Sequence, residues 1–582
     1  MVVLVPMKLF SYLKPYRSQC ILAPVFKLFE VFLELLVPLV VASLIDIGIT
    51  NGDVGHVVRM CLFLGGFAAL GLGASFTAQY FSAKAATGLA HDVKNDLFRH
   101  IQRLSATDLD RVGTSTLLTR MTSDMNQVQS GVNMALRLLL RSPFVVFGAA
   151  FMAIWVDRTS AGIFLGALAV LLISVGALLA CTIPMYRKVQ QNLDKVLSHV
   201  RENLYGVRVL RAFCQERNET EVFIRENEAL KKRQMLSATL SVLTNPLTTV
   251  IINIGIMFLI WTGGRKVDTG ALSQGEVVAL VNYMSLILVE LVKLANLMVT
   301  ISKALACARR IDNVFDLKPS QQEGAVDQIG DFDEASDRIV KFRNVTFAYN
   351  ANASPALSDI SFQVRQGETV GIIGGTGSGK STIVSLLLRQ YDATGGEVDV
   401  FGRNIVEYTN RVIHSNIVAV LQKAKLFKGT IRSNLKWGDP SADDKALAEA
   451  LDIAQAREIV EGRPKGLDSG VEIGGRNFSG GQKQRLSIAR ALVAKPKLLI
   501  LDDSTSALDY ATDAALRNAL KRLDCTLFIV SQRTHAVREA DQILVLDNGR
   551  LVGHGKHDEL LKSCKVYQEI YDSQYSDREV GK

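Results

Sequence analysis

A chain of 582 residues with net charge +9 is too long for one compact core, so at least two domains are expected. A mean hydropathy of +0.20, with 48% hydrophobic and 21% charged residues, is high for a soluble protein. The basic excess would suit nucleic acid, but Lys and Arg fall in loops between apolar runs rather than on one stripe, so membrane topology and phosphate handling account for it and no nucleic-acid partner is expected.

In chain order, the N-terminal stretch has no compact apolar core ending at a small-residue cleavage site, and reads as lacking a signal peptide. Six apolar stretches follow, near residues 17–48, 57–83, 128–156, 160–186, 239–263 and 274–305, each long enough for the roughly 20 residues a bilayer crossing needs. The second and fourth run on into polar, helical-looking sequence, which predicts helices projecting beyond the membrane. Lys8, Lys14 and Arg17 precede the first span, and basic residues crowd the connections after spans two and four (Lys94, Arg99 and Arg103; Arg187, Lys188 and Arg201). The turns around Asp46 and Asp157 carry few. The positive-inside rule therefore places the N-terminus and everything after span six in the cytosol, in a multi-pass protein of the cytoplasmic membrane.

Residues 1–312 read as an all-α six-helix transmembrane domain, 313–337 as a polar linker, and 338–582 as a soluble α/β domain. Lys27, Glu30 and Glu34 interrupt the first span. An intramembrane charge is a candidate for substrate contact or proton transfer; pairing at i, i+3 or i+4, or facing a water-filled cavity, is the simpler reading. The seven cysteines (Cys20, Cys61, Cys181, Cys214, Cys307, Cys525 and Cys564) share no C-x-x-C spacing, which argues against a metal site or disulfide framework.

In the soluble part, 369–374 reads as a buried strand leading into Gly374, Gly375, Thr376, Gly377, Ser378, Gly379, Lys380, Ser381 and Thr382, and then into an apolar-periodic helix. This is the phosphate-loop pattern in its strand–loop–helix setting, the mark of an α/β phosphate-loop NTPase. The glycines let backbone N–H groups approach phosphate, and the helix N-terminus adds a favourable dipole. Lys380 supplies charge to the outer phosphates, and the Ser381 hydroxyl is placed for Mg²⁺. A second strand, 497–501, ends in Asp502 and Asp503, where doubly wound sheets bind ligands. Asp502 is the expected Mg²⁺ carboxylate, and Asp503 stands where a base for the attacking water belongs. ATP and Mg²⁺ are the expected ligands.

Between these motifs lies Ser479-Gly480-Gly481-Gln482, and here the sequence resembles the ATP-binding cassette transporter family. Ser479 to Gln482 is similar to that family's signature, Tyr349 to its adenine-stacking aromatic, and Gln422 to the glutamine that reaches Mg²⁺ and water. Ser506 to Asp509 is similar to its dimer loop. Six spans followed by one cassette look like an exporter half-transporter of multidrug type. The resemblance implies two cassettes packed head to tail, with each ATP held between one phosphate loop and the opposite signature, so a second chain is required. It further implies that 109–120 and 206–217 form short transverse helices coupling cassettes to spans, the second against the opposite subunit.

Two positions depart from the pattern. Asp503 replaces the usual glutamate and is one methylene shorter; Gln532 replaces the usual histidine and cannot carry its charge or proton. With the signature intact, this predicts a subunit that binds ATP, hydrolyses it slowly at its own loop, and completes a competent site on a different partner. A homodimer tolerating both variants is the alternative. The expected activity is ATP-driven export of a small amphipathic molecule, whether drug-like, lipid or peptide. The rivals are a homodimeric lipid flippase or peptide exporter, and a subunit that senses ATP and moves nothing.

Overall fold

The computed structural model describes residues 8–158, 160–330, 338–350, 353–504 and 507–575. The chain separates into two compact units. One runs to Ile101 and resumes over Ser115–Asp316; the other holds Gln102–Thr114 and the chain from Leu317 onward.

In the first unit, six helical segments among the described residues are long and apolar enough to cross a bilayer: Leu9–Ile49, Val54–Ile101, Thr114–Val156, Gly162–Tyr205, Glu216–Asp268 and Gln274–Leu291. A transmembrane segment must satisfy its backbone internally, and continuous helices do so. The last segment lies in a helix that continues to Phe315, beyond the 305 expected. The fifth begins well before 239, as a polar helix Glu216–Val242 that passes at Leu243 into Thr244–Asp268. No apolar pattern marks that polar half, so hydropathy alone could not include it. Span one packs on span two, span three on span six, and span four on span five. Their shared core centres on Val31, Val145, Ala149, Tyr283 and Ile287. Large apolar side chains such as Trp155, Ile173 and Trp261 remain exposed, as a lipid-facing surface requires.

The charges in span one have partners. Lys27 Nζ lies 2.6 Å from Glu30 Oε2, one helical turn on, so this pair follows the i, i+3 reading. Glu34 instead reaches across to span three, where Arg141 Nη2 donates to it at 2.8 Å, and the other arm of Arg141 meets Glu290 of span six at 2.5 Å. Ser142 and Lys293 also donate to Glu290, at 3.0 and 2.8 Å. Arg141 and Glu290 are buried. Arg141 also begins a new helical stretch after a break at 139–140 in the third span. Toward the outer ends, Asp46 accepts from Ser273 Oγ and the Gly275 amide at 2.5 and 2.7 Å, tying the end of span one to the start of span six.

The second unit is built on two sheets. A four-stranded antiparallel sheet has the order Leu357–Arg365, Arg338–Phe347, Gly395–Val400, Arg403–Asn404. A six-stranded sheet has the order Arg550–Gly555, Gln542–Asp547, Thr369–Gly374, Thr526–Val530, Leu498–Asp502, Ile417–Val420, with only its first pair antiparallel. The central strands are buried along their length, the uninterrupted apolar pattern of a parallel sheet covered on both faces. Because 369–374, 498–502 and 526–530 are adjacent and parallel, their carboxyl ends deliver three loops to one place. The segment Gln102–Thr114 contributes a short helix, Ala106–Val112, whose N-cap Ser105 and Asp108 form a capping box. Asp108 also accepts from the Ser320 amide at 2.9 Å. Burial alone would raise its carboxyl, but these bonds from Ser320 and Ser105 hold it below the usual value.

Candidate nucleotide site

The strand Thr369–Gly374 turns into the helix Lys380–Leu387 through a loop that needs glycine: Gly377 and Gly379 stand at φ 82° and 99°. At Gly379 a Cβ would also meet Leu357 Cδ2 at 2.6 Å and Ala356 O at 2.9 Å, so glycine is required by both backbone and space. Lys380 folds back over the loop and donates to Gly374 O at 2.9 Å and Gly375 O at 2.6 Å. Its burial pushes the ammonium below its usual range, while Asp502 and Asp503 oppose that shift. A desolvated ammonium whose hydrogen bonds go to neutral carbonyls and the Ser378 hydroxyl is matched to an anion.

Across the gap, Ser381 Oγ lies 3.3 Å from Asp502 Oδ1. Burial raises the Asp502 carboxyl above its usual value, with Ser381 and Lys380 opposing and Asp503 adding. A buried carboxylate beside a hydroxyl at the mouth of a phosphate loop has the hard oxygen donors that suit Mg²⁺, so the residues present fit ATP with Mg²⁺. Asp503 sits at φ 46°, a left-handed conformation that Asp tolerates better than most residues, and it accepts from Gln422 Nε2 at 3.0 Å. Tyr349 packs edge-on against Phe347 and Tyr391, with ring centroids 4.9 and 5.3 Å away. Its hydroxyl lies 3.1 Å from Thr382 Oγ1.

One cavity of about 350 Å³ gathers Tyr349, Thr376 to Thr382, Gln422, Asp502, Asp503 and Gln532. Ala356, Val530 and Ser531 complete its wall; no sequence pattern marks them, although 530 and 531 follow from the end of a buried strand. Ser479 to Gln482 do not line it. Ser479 caps the helix Gly480–Val493, its Oγ accepting from the Gln482 amide at 3.3 Å while Gln482 Oε1 accepts from the Ser479 amide at 3.1 Å. Ser479 and Gly480 are exposed, so this helix N-terminus, with its favourable dipole for an anion, lies at the surface. The same helix is tied to the Gln422 segment through Gln484 Nε2, which donates to Leu421 O at 3.4 Å. Asp509 caps Tyr510–Leu520, accepting from the Thr512 amide at 2.9 Å and hydroxyl at 2.8 Å. Ser506 lies outside the described residues.

A membrane-spanning six-helix bundle joined to a phosphate-loop cassette whose exposed Ser479 to Gln482 lie outside its own nucleotide cavity defines the class: a nucleotide-driven membrane transporter half. Residues 20–291 match the ABC transporter transmembrane region and residues 357–506 the ABC transporter family model. The chain is 34% identical over 576 residues to an uncharacterized ABC transporter ATP-binding protein of Mycobacterium tuberculosis, covering 98% of each. It is 30% identical over 576 residues to the ATP-dependent lipid A-core flippase of Chromohalobacter salexigens, again covering 98% of each. In fold it resembles a bacterial Atm1-family ABC exporter solved with ATP bound, with a TM-score of 0.79 at 22% identity, covering 96% of this chain and 98% of that one. The chain belongs to the ABC transporter family, as a half-transporter: a multi-pass protein of the cell membrane with a cytosolic ATPase domain.

Proposed function

We propose that this chain exports a small amphipathic molecule across the cytoplasmic membrane as the slow-site half of a heterodimer. The observation that carries the need for a second chain is the outward placement of Ser479 and Gly480 while Lys380, Ser381 and Asp502 converge on another cavity. One nucleotide cannot use both within one cassette. An exposed apolar tip, with Leu204, Tyr205 and Phe213 each at least 70% accessible, flanks the short helix Val207–Ala212 and suits docking on a partner cassette.

In this reading Tyr349 stacks the base, the loop amides of Gly375 to Thr382 and Lys380 hold the phosphates, and Ser381, Gln422 and Asp502 would hold Mg²⁺. When bound, the ion would offset the charge of the phosphates. Asp503 would orient the attacking water and Gln532 would donate to the γ-phosphate, as the signature of the partner closes from the other side. Closing the two cassettes turns the spans outward as a rigid-body motion, and hydrolysis reopens them. The short carboxylate of Asp503, already engaged by Gln422, and the uncharged Gln532 support slow turnover. Displacing a catalytic group by about 1 Å costs on the order of a hundredfold. ATPase assay of the purified chain alone tests this: low turnover is expected, and robust turnover abolished by Asp503→Ala overturns the slow-site reading.

A second reading, a homodimeric lipid flippase, draws support from the name of the Chromohalobacter relative. Lipid translocation in vesicles holding this chain alone separates the two.

A further inference from the structure

The strand Thr526–Val530 makes its last sheet bond when the Ser531 amide donates to Ile372 O at 3.0 Å. The backbone then leaves the sheet, and residues 532–534 need other partners for their N–H and C=O groups. Arg533 finds its own close by, its amide donating to Ser531 Oγ at 3.0 Å and its carbonyl accepting from the Ala536 amide at 3.1 Å, while the Gln532 carbonyl and the Thr534 amide find theirs in one side chain from the C-terminal helix Lys565–Tyr575. Gln574 Nε2 donates to Gln532 O at 2.8 Å, and Gln574 Oε1 accepts from the Thr534 amide and hydroxyl, both at 2.9 Å. The amide thus replaces a strand partner, with one donor and one acceptor bridging the two residues that flank Arg533. Thr534 is buried, Gln574 is exposed, and the helix that carries Gln574 is packed in at its root. Tyr567 of the same helix is fully buried, and its hydroxyl lies 2.7 Å from His557 Nδ1. Gln532 itself lines the nucleotide cavity.

We propose that Gln574 is a positioning residue: by holding the main chain of Gln532, it sets where the Gln532 side chain meets the γ-phosphate, so that the C-terminal helix tunes discrimination of ATP from ADP. The inference rests on the reading of Gln532 as the γ-phosphate donor. A glutamine that merely pinned the C-terminal helix would not distinguish nucleotides that differ only in that phosphate.

The test is equilibrium binding of ATP and of ADP, with Mg²⁺, to the full-length chain in lipid nanodiscs. Gln574→Glu keeps acceptor oxygens for Thr534 but cannot donate to the Gln532 carbonyl; Gln574→Ala removes all three bonds. Both are expected to leave ADP affinity within about twofold and to lower the preference for ATP over ADP about fivefold to tenfold, the net scale of one hydrogen bond. Gln532→Ala is expected to do the same, and Gln532→Ala with Gln574→Ala no more than either alone, the signature of one shared contact. Loss of preference in Gln532→Ala but not in Gln574→Glu overturns the positioning role and leaves the Gln532 reading standing. An unchanged preference in Gln532→Ala overturns both. Equal weakening of ATP and ADP in the Gln574 variants shows a purely structural clamp and overturns the proposal. Should Gln574→Ala fail to fold, Gln574→Glu decides.

Discussion

The hydroxyl of Tyr391 donates to the carboxylate of Asp110 at 2.6 Å, joining positions 281 residues apart in the chain. Asp110 lies in the short helix Ala106–Val112, which is covalently continuous with spans two and three. Tyr391 packs edge-on against Tyr349 at the nucleotide cavity. Burial and the Asp110 carboxylate push the Tyr391 phenol above its usual value, so the bond persists across physiological pH. Tyr391→Phe keeps the ring and removes the bond. It is expected to leave ATP affinity within about twofold and to raise hydrogen exchange in 106–112 about tenfold, the scale of a charge-assisted bond. Exchange measured by mass spectrometry on the full chain checks this, and unchanged protection counts against the contact as a link.

Asp502 offers a pH test. Its folded-state value is raised, so the stability it contributes is full below its ordinary value of 3.8 and is lost as pH rises through the folded value. Above that range the burial that raises the carboxyl is a cost that Mg²⁺ would relieve. Asp502→Asn should therefore raise the melting temperature of the nucleotide-free protein by about 2 °C at pH 7 and leave it unchanged at pH 3.5. It should also weaken Mg²⁺-dependent ATP binding about tenfold or more. Thermal scans at the two pH values, with ATP titrations, supply the check.

Arg141 answers to Glu34 and Glu290 at once, on three different spans. Arg141→Ala leaves the buried Glu290 carboxylate to Lys293 and Ser142 and unties Glu34 from the cluster, and should cost about 2–3 kcal/mol, read as early loss of the monodisperse peak when the solubilised protein is heated. Lys27→Met removes one end of an i, i+3 pair and a bond to Ser75 of span two at 3.2 Å, and Glu30 remains more accessible than Glu290. A much smaller loss is expected there. Equal losses for both variants would mean that the three-span cluster contributes nothing special.

Gln422 donates to Asp503, and Gln532 shares their cavity. On the slow-site proposal, Asp503→Glu together with Gln532→His should raise single-turnover hydrolysis about tenfold or more with ATP affinity within about twofold. Rapid-quench measurement on the reconstituted chain reads the rate directly. An unchanged rate would place the limit elsewhere.

What the sequence reveals depends on range. The spans are legible because a bilayer imposes a local apolar length, and the phosphate loop because its glycines, Lys380 and Ser381 are fixed by local geometry within one strand–loop–helix unit. The carboxylates at the end of 498–502 are legible from strand context alone. The partners of Glu34 were not: spacing along one helix can suggest the Lys27–Glu30 pair, but nothing local brings Arg141 and Glu290 to Glu34. Likewise Tyr391 and Gln574 carry no motif, since their meaning comes from Asp110 and from the main chain of Gln532, brought near only by the fold. The polar half of the fifth helix was missed for a different reason. Hydropathy locates membrane, and Glu216–Val242 is helix without it.

The central claim is that nucleotide held at the loop around Lys380 powers this membrane protein, and equilibrium ATP binding by the full chain in lipid nanodiscs tests it most directly. Saturable, Mg²⁺-dependent binding is predicted, falling about a hundredfold or more in Lys380→Ala while the protein stays embedded and folded. Failure of the unaltered chain to retain ATP, or binding indifferent to Lys380→Ala, would contradict the account.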